Sequence, residues 1–548
     1  MSLHPEPVCP VPAETAHVAR AAFPRGNPYM RLRDHFATLY TDEMFAGLYP
    51  THGQPAAAPW QLALVTVMQC AEGVADRQAA DAVRGRIDGK YALGLPLEDA
   101  GFDASVLSEF RTRLIAGSAE TLLLDTLLTQ ARAHGLLHAR GRQRTDSTHV
   151  VAAIRGLNRL ECVGETLRHV LETIAVVAPD WLRGWVPSAW FDRYSRPFVD
   201  YRLPPGRAER YALAEQIGAD GFAVLAAVYD EHAPAYLRAI PAVQTLRQVW
   251  MQQFYAPTDT VRWRAAEDVP PSTLLICTPY DPEARYGKKR DTEWTGYKVH
   301  LTETCTPTDP HLIVNVETTP APGSDFDAVE TIHTHLAEHD LLPQEHIVDT
   351  GYMTADHVVT SQKEHAVNVL GPVPAAPSWQ AKEQGGFATA CFRIDWDAQQ
   401  ATCPQGHTSR CWVERQDRHD HSVVQIAFAR SDCMACPVRT HCTRAATQPR
   451  TITLRARAAH EALQAARQRQ ETEAFKAAYA ARAGIEGTLS QGVRVGDLRR
   501  ARYVGLAKTH LQHVLTAAGV NVLRLGAWLA DTPRAQTRRS HCAALAAA

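Results

Sequence analysis

The sequence predicts a mixed α/β core, preceded by an all-helical domain and interrupted by two insertions, one helical and one cysteine-rich. Three observations lead there. Two β-patterned runs each carry an aspartate, Asp146 within RQRTDSTHV and Asp349 after HIV. Apolar residues recur at helical spacing from Tyr29 to about Leu136. Six cysteines, Cys391, Cys403, Cys411, Cys433, Cys436 and Cys442, fall within 52 residues.

A chain of 548 residues exceeds one ordinary core, and about 150 residues per domain implies several units. An apolar fraction of 45% with 21% charged residues excludes a disordered or membrane-embedded class. No apolar run approaches about 18 residues, and Pro and polar residues occupy the place of a secretory apolar core. The expectation is a cytoplasmic protein with no membrane partner. The net charge of −2 hides an asymmetry: Arg439 to Lys508 holds 14 Lys/Arg against 5 Asp/Glu. Such a stretch suits a phosphate-binding surface or a solvated helical face.

In chain order, residues 1–27 are Pro- and Ala-rich and read as a disordered tail. Residues 28–139 form the helical N-terminal domain, with DNA binding as a candidate role. Within it, QLALVTVMQCAEG and DRQAADAVRGRIDGKYALGL read as two helices joined at Gly73 to Asp76, with Asp76 a candidate cap. The pair fits a helix-turn-helix or plain packing. The α/β core is assembled from 140–160, 286–365 and 470–530. Its first piece holds the Asp146 strand. A helical insertion, 161–285, is broken at Pro179, Pro187 and Pro204. GYKVHLTET and LIVNVETT then alternate as a hairpin. A helix from about Phe326 to His339 leads to the strand before Asp349, where Gly351 allows a sharp turn. Residues 366–460 are the cysteine-rich insertion. The C-terminal helical part sets Tyr503, Ala507, Leu511, Val514 and Ala518 on one stripe. Residues 531–548 are a small, basic tail.

A carboxylate at a strand end costs stability unless solvated, paired or bound to a cation, and each aspartate alone suits any of these. In YAARAGIEGTLSQ the spacings of three and four place Tyr479, Arg482 and Glu486 on one helical face. Gly484 and Gly487 flank the glutamate. Each costs a helix roughly 1 kcal/mol relative to Ala, so a compensating reason such as close approach of another backbone or DNA is expected, a cap or helix break being the alternative. The cysteines Cys403, Cys433, Cys436 and Cys442 give C-x29-C-x2-C-x5-C, a zinc-ligand pattern in which His407 or Cys411 could replace one thiol. An iron–sulfur cluster is the other metal reading. A structural metal would supply folding free energy to an insertion with little apolar content. Trp379, Phe387, Phe392, Trp396 and Trp412 lie in or beside it, to pack or to stack on an extruded base.

The pieces TDSTHV, DTGY and Y-x2-R-x3-E, together with the WxGYKVHLTET-like strand and the cysteine cluster, resemble the DDE transposases of bacterial insertion sequences, from about Asn27 to about Leu529. The resemblance implies a ribonuclease-H-like core with Asp146, Asp349 and Glu486 as catalytic metal ligands. It implies two Mg²⁺ (or Mn²⁺) ions, cleavage of transposon ends and strand transfer into target DNA. Arg482 would contact a phosphate, and Tyr479 would do so, stack or pack. The family's Lys seven residues after the glutamate is here Val493, so Arg494 becomes the candidate, with Lys508 a further DNA-binding residue. The implied partners are double-stranded DNA at terminal inverted repeats, target DNA and a second copy of the chain in a synaptic complex, with nucleoid association when DNA is bound. A related nuclease without strand transfer, or an inactive zinc-containing DNA-binding regulator, are the alternatives.

Overall fold

The strand-forming residues around Asp146 make a ten-residue strand, β1 (Arg142–Val151), at the centre of a six-stranded mixed sheet. The computed structural model describes all residues except 256–259, 375–377, 418–419, 535–541, 543–544 and 546–548. Most of the expected 531–548 tail therefore lies outside the described residues. The other strands are β2 (Arg285–Lys289), β3 (Thr292–Thr304), β4 (Ile313–Pro320), β5 (Glu345–Ile347) and β6 (Asn368–Leu370). β3 runs antiparallel to β1, with Asp146 opposite Leu301. β2 and β4 share the far edge of β3 end to end, Gly287 facing Trp294 and Val316 facing Leu301. The β3–β4 pairing is the hairpin that the alternating sequence predicts. β5 joins β1 in parallel, and β6 joins β5 in parallel. The helices Ala328–Glu338 and Ala355–His365 make the crossovers that parallel pairing requires.

β3 is buried continuously from Tyr297 to Thr304, polar residues included. It lies between helices on both faces, which removes the polar-out half of an ordinary alternation. The principal cover is the C-terminal helix Leu506–Trp528, buried almost all round through Leu511, Val514, Leu515, Ala518, Val522 and Leu525. Its Asn521 is fully buried and both donates to and accepts from the Ile313 backbone at 2.8 Å, which ties the helix to the start of β4. The other side of this helix packs on Pro59–Glu72, and one hydrophobic core runs from the N-terminal helices to the sheet. Of the expected stripe, Leu511, Val514 and Ala518 are buried in this helix, whereas Tyr503 precedes it because Gly505, at φ +96°, starts a new direction.

Two other expectations differ. Within the supposed disordered segment 1–27, Ala13–Ala22 is a helix whose Thr15 and Ala19 are fully buried, Ala19 packing with Met30 and Tyr91. Small alanines let it lie close where a Pro-rich composition suggested no packing. Asp76 does not cap its helix. It is the first helical residue and takes hydrogen bonds from Gln69 and Arg111, while Gln78 satisfies the Ala75 N–H.

Both insertions have cores of their own. The helical one packs Arg159–Val177, Arg207–Tyr229 and Pro241–Gln253 around Val163, Leu167, Val224, Leu246 and Trp250. The cysteine-rich one has a three-stranded sheet of Ser409–Gln416, Ser422–Phe428 and Thr451–Arg455 over a small core including Phe392, Ile426 and Leu454. Phe387, Trp396 and Trp412 pack against that core, and Arg444 lies over Trp379 at 4.2 Å. Among the described residues no helix is long and apolar enough to cross a membrane.

Candidate active site

The pleat of β1 builds the site. Alternate side chains leave opposite faces of a strand, and the four polar even positions of β1, Arg142 to Thr148, reach the C-terminal segment. Arg142 and Arg144 donate to the carbonyls of Ala478 and Ala481. Asp146 Oδ2 accepts from Arg482 at 2.8 Å, and Thr148 Oγ1 from Arg499 at 2.9 Å. The odd positions serve the other face: Gln143 donates to Leu341, Thr145 bonds His346, and Ser147 donates to Asp325. One strand thus docks the glutamate-bearing segment and carries the first aspartate beside it.

That segment is the helix Glu473–Tyr479, a tight turn Ala480–Arg482 and the helix Ala483–Gly496. Tyr479 and Arg482 keep right-handed helical backbone across the joints, so Arg482 and Glu486 stay on one side, their charged groups 3.5 Å apart. Arg482 is the hub. Its guanidinium lies 2.8 Å from Asp146, 3.8 Å from Asp349 and 3.5 Å from Glu486. The three carboxylates grade outward, with side chains 13%, 45% and 67% exposed. Each aspartate has one oxygen held at 2.8 Å by the next backbone N–H, from Ser147 and Thr350 respectively, while its other oxygen faces Arg482.

Burial raises the Asp146 carboxyl above its ordinary range, against the pull of Arg482 and the Ser147 N–H, and Asp349 pushes it further up. Burial also works against the charge on Arg482, but Asp146, and after it Tyr479, Asp349 and Glu486, outweigh it and raise its pKa. The Arg482 Nε is buried with no partner among the described residues. Among the described residues no group of three or more His, Cys, Asp or Glu stands close enough to hold a metal ion as it is, neither the three acids turned onto one guanidinium nor the cysteine cluster.

Gly484 and Gly487 have different surroundings. A Cβ at Gly484 would lie 2.0 Å from Arg144 Nη1, and Arg144 is held in place by Glu303 at 2.6 Å. At Gly487 a Cβ meets nothing. Tyr479 stacks on Phe475, centroids 5.6 Å apart and planes within 10°, and packs with Ile347 and Leu370. Arg494 is exposed and, among the described residues, reaches only its own helix at Ser490, and Lys508 is exposed; no contact of either with the three carboxylates is found among the described residues. Val493 packs against the main core.

Sequence reasoning missed two charged clusters next to the acids. Glu303 is fully buried and receives Arg144, Arg524 and Thr488, joining β1, β3 and the two C-terminal helices. Asp325 receives Lys298 at 2.9 Å and Ser147 at 3.0 Å, with Lys289 at 3.6 Å. The sequence marks Glu303 only as an alternating strand residue and Asp325 only as a turn acid.

In the cysteine-rich insertion, Cys403, Cys433, Cys436, Cys442 and His407 line one cavity. The Arg450 N–H donates to Cys433 Sγ at 3.4 Å. Burial pushes the Cys442 thiol up; Arg450 opposes this, and Cys433, Cys403 and Cys436 add to it. Cys411 lies on the Ser409–Gln416 strand opposite Ala427, outside the cavity lining.

Two family models match the chain. A Transposase DDE domain matches residues 402–526, which include Glu486 but neither aspartate. A Transposase domain (DUF772) matches residues 17–113, in the N-terminal helices. No curated protein and no solved structure matches.

Proposed function

From the premise that these two matches support an insertion-sequence DDE transposase, we propose that the chain cuts transposon ends and joins them to target DNA with Asp146, Asp349 and Glu486. One observation carries the reading: three carboxylates from β1, the β5 end and the Ala483–Gly496 helix converge on a single cation, Arg482. Carboxylate oxygens are the donors that Mg²⁺ and Mn²⁺ favour, and a cluster already gathered around positive charge fits them once Arg482 moves away. Asp146, Asp349 and Glu486 would hold the divalent ions, two per site in this reading, and the chemistry these would supply is activation of a water or 3′-hydroxyl and stabilisation of the leaving oxygen.

The protein's own groups do the positioning. The Ser147 and Thr350 N–H groups orient the two aspartates, and exposed Glu486 completes the set from the solvent side. Arg482, released from the acids, is placed to take a DNA phosphate. Arg494 and Lys508 offer further phosphate contacts along the exposed C-terminal segment, and the N-terminal helices a DNA-binding domain. Tyr479 supports the segment by stacking on Phe475. Cys403, Cys433, Cys436 and Cys442 would hold a structural Zn²⁺ in this reading: the four thiols line one cavity but would have to draw together to ligate it. Two chains would act together on two inverted repeats.

The test is Asp146→Asn, scored for cleavage and joining of inverted-repeat duplexes. Losing several kcal/mol of transition-state stabilisation lowers both rates by about 10³-fold or more, with duplex binding retained. Unchanged cleavage overturns the assignment. Cleavage by the wild type with no joined product favours the nuclease alternative.

A further inference from the structure

The helical insertion contains a solvent-open groove of ≈ 500 Å³ where the Arg159–Val177 and Arg207–Tyr229 helices begin. Three arginines and two aromatic rings line it: Arg159, Arg207, Arg210, Tyr211 and Trp263. They form a ladder. Arg207 lies 5.7 Å from the Tyr211 ring, Tyr211 meets Trp263 edge-on at 5.1 Å, and Arg159 lies 4.6 Å from the Trp263 ring. Arg159 is locked there by Gln253 Oε1 and the Arg264 carbonyl. Asp200 is the lining acid among the described residues, and it is engaged by Arg210 at 3.0 Å. Arg207 makes no hydrogen bond or ion pair among the described residues, its charge turned to a tyrosine face.

Trp263 packs against the insertion's core and Arg159 ties Gln253 to Arg264, but the fold has no use for Arg207 on the Tyr211 face, and the carboxylate site does not involve the groove. The insertion's core stands on Val163, Leu167, Val224, Leu246 and Trp250. Pre-positioned guanidiniums beside aromatic rings are what a nucleic-acid backbone with its neighbouring bases requires. A free mononucleotide pocket encloses most of its ligand, whereas this groove is open and suits a long polyanion. Reach also agrees. Arg159 follows Asp146 by 13 residues, so even a fully extended chain keeps it within about 45 Å, little more than one turn of B-DNA.

We propose that this groove binds the phosphodiester backbone of DNA, with Arg207 and Arg210 on successive phosphates and Tyr211 and Trp263 against the adjoining sugar or base. The proposal rests on the transposase reading and adds a DNA contact in an insertion that neither family match covers.

The experiment measures binding of the full chain to a labelled DNA duplex of about three helical turns across a salt series. Phosphate contacts are independent of sequence, so an arbitrary duplex serves. Arg207→Ala with Arg210→Ala is expected to weaken binding about tenfold near physiological salt and to reduce the log–log salt slope by about two. A second variant, Arg207→Glu, weakens binding further and guards against loss of the Arg210–Asp200 contact being read as DNA binding. Unchanged affinity and slope in both variants overturn the proposal, as does an effect on inorganic phosphate binding with none on the duplex. A wild-type chain that binds no duplex at any salt sinks the transposase reading itself, a separate outcome.

Discussion

The carboxylate cluster and the cysteine cluster are both candidate metal sites, yet they differ in what holds them without metal. The three acids carry a built-in counter-ion, Arg482, and sit on β1, the β5 end and the Ala483–Gly496 helix, elements that all contribute to the main core. The four cysteines face a shared cavity in an insertion with a small core, and the guanidinium that acts on Cys442 there is Arg450. In the proposed reading the first site folds with its counter-ion and would take ions as a working step, whereas the second lacks that compensation, so a metal held there would contribute to folding.

The largest effect should come from breaking the cysteine site. Cys433→Ser with Cys436→Ser removes binding free energy on the order of 10 kcal/mol if the thiols hold zinc. Limited proteolysis should then cut within 366–460 while the sheet and N-terminal helices stay resistant. A strong zinc chelator should do the same to the wild type. An insertion that resists protease in both tests contradicts the metal role and erases the contrast.

A smaller effect should come from making the acid site resemble the thiol site. Arg482→Gln leaves Asp146, 13% exposed, beside Asp349 without its hydrogen-bonded cation, only the weaker pull of Lys289 remaining among the described residues. Losing one partner of such a half-buried pair costs about 1–3 kcal/mol after solvent screening, a melting shift of a few degrees. Mn²⁺ should restore it in the variant and leave the wild type nearly unmoved. A variant whose melting temperature ignores Mn²⁺ means that Arg482 and the ions do not share a place.

How far these sites could be read from sequence follows the same division. β-branched and polar composition marked β1, alternation marked the hairpin, and spacing of three and four put Arg482 beside Glu486. These are local patterns. The hub needed more, since Arg482 meets Asp146 across 336 residues. Glu303 was invisible because its partners Arg144 and Arg524 lie 159 and 221 residues away, and a charged residue in an alternating strand reads as solvent-facing. The shared core was hidden for the same reason: Leu506–Trp528 joins the N-terminal helices to the sheet through contacts that no window of sequence contains. The cysteine cavity was legible because its four thiols lie within 40 residues of chain.

The two glycines of the glutamate helix give the finest test. Both cost the helix the same intrinsic amount, so their difference isolates their surroundings. Gly484→Ala sets a methyl 2.0 Å from Arg144 Nη1, in a side chain pinned by Glu303 and the Ala481 carbonyl. Relieving that clash should cost about 1–3 kcal/mol and shift the helix that bears Glu486, lowering cleavage as well as melting temperature. Gly487→Ala meets nothing and should gain up to about 1 kcal/mol from helix propensity. If DNA approaches the helix at Gly487, the same variant should bind cleavage substrate more weakly while melting higher. Equal melting shifts for both variants would mean that Arg144 yields freely, and then the β1 pleat does not set the position of Glu486.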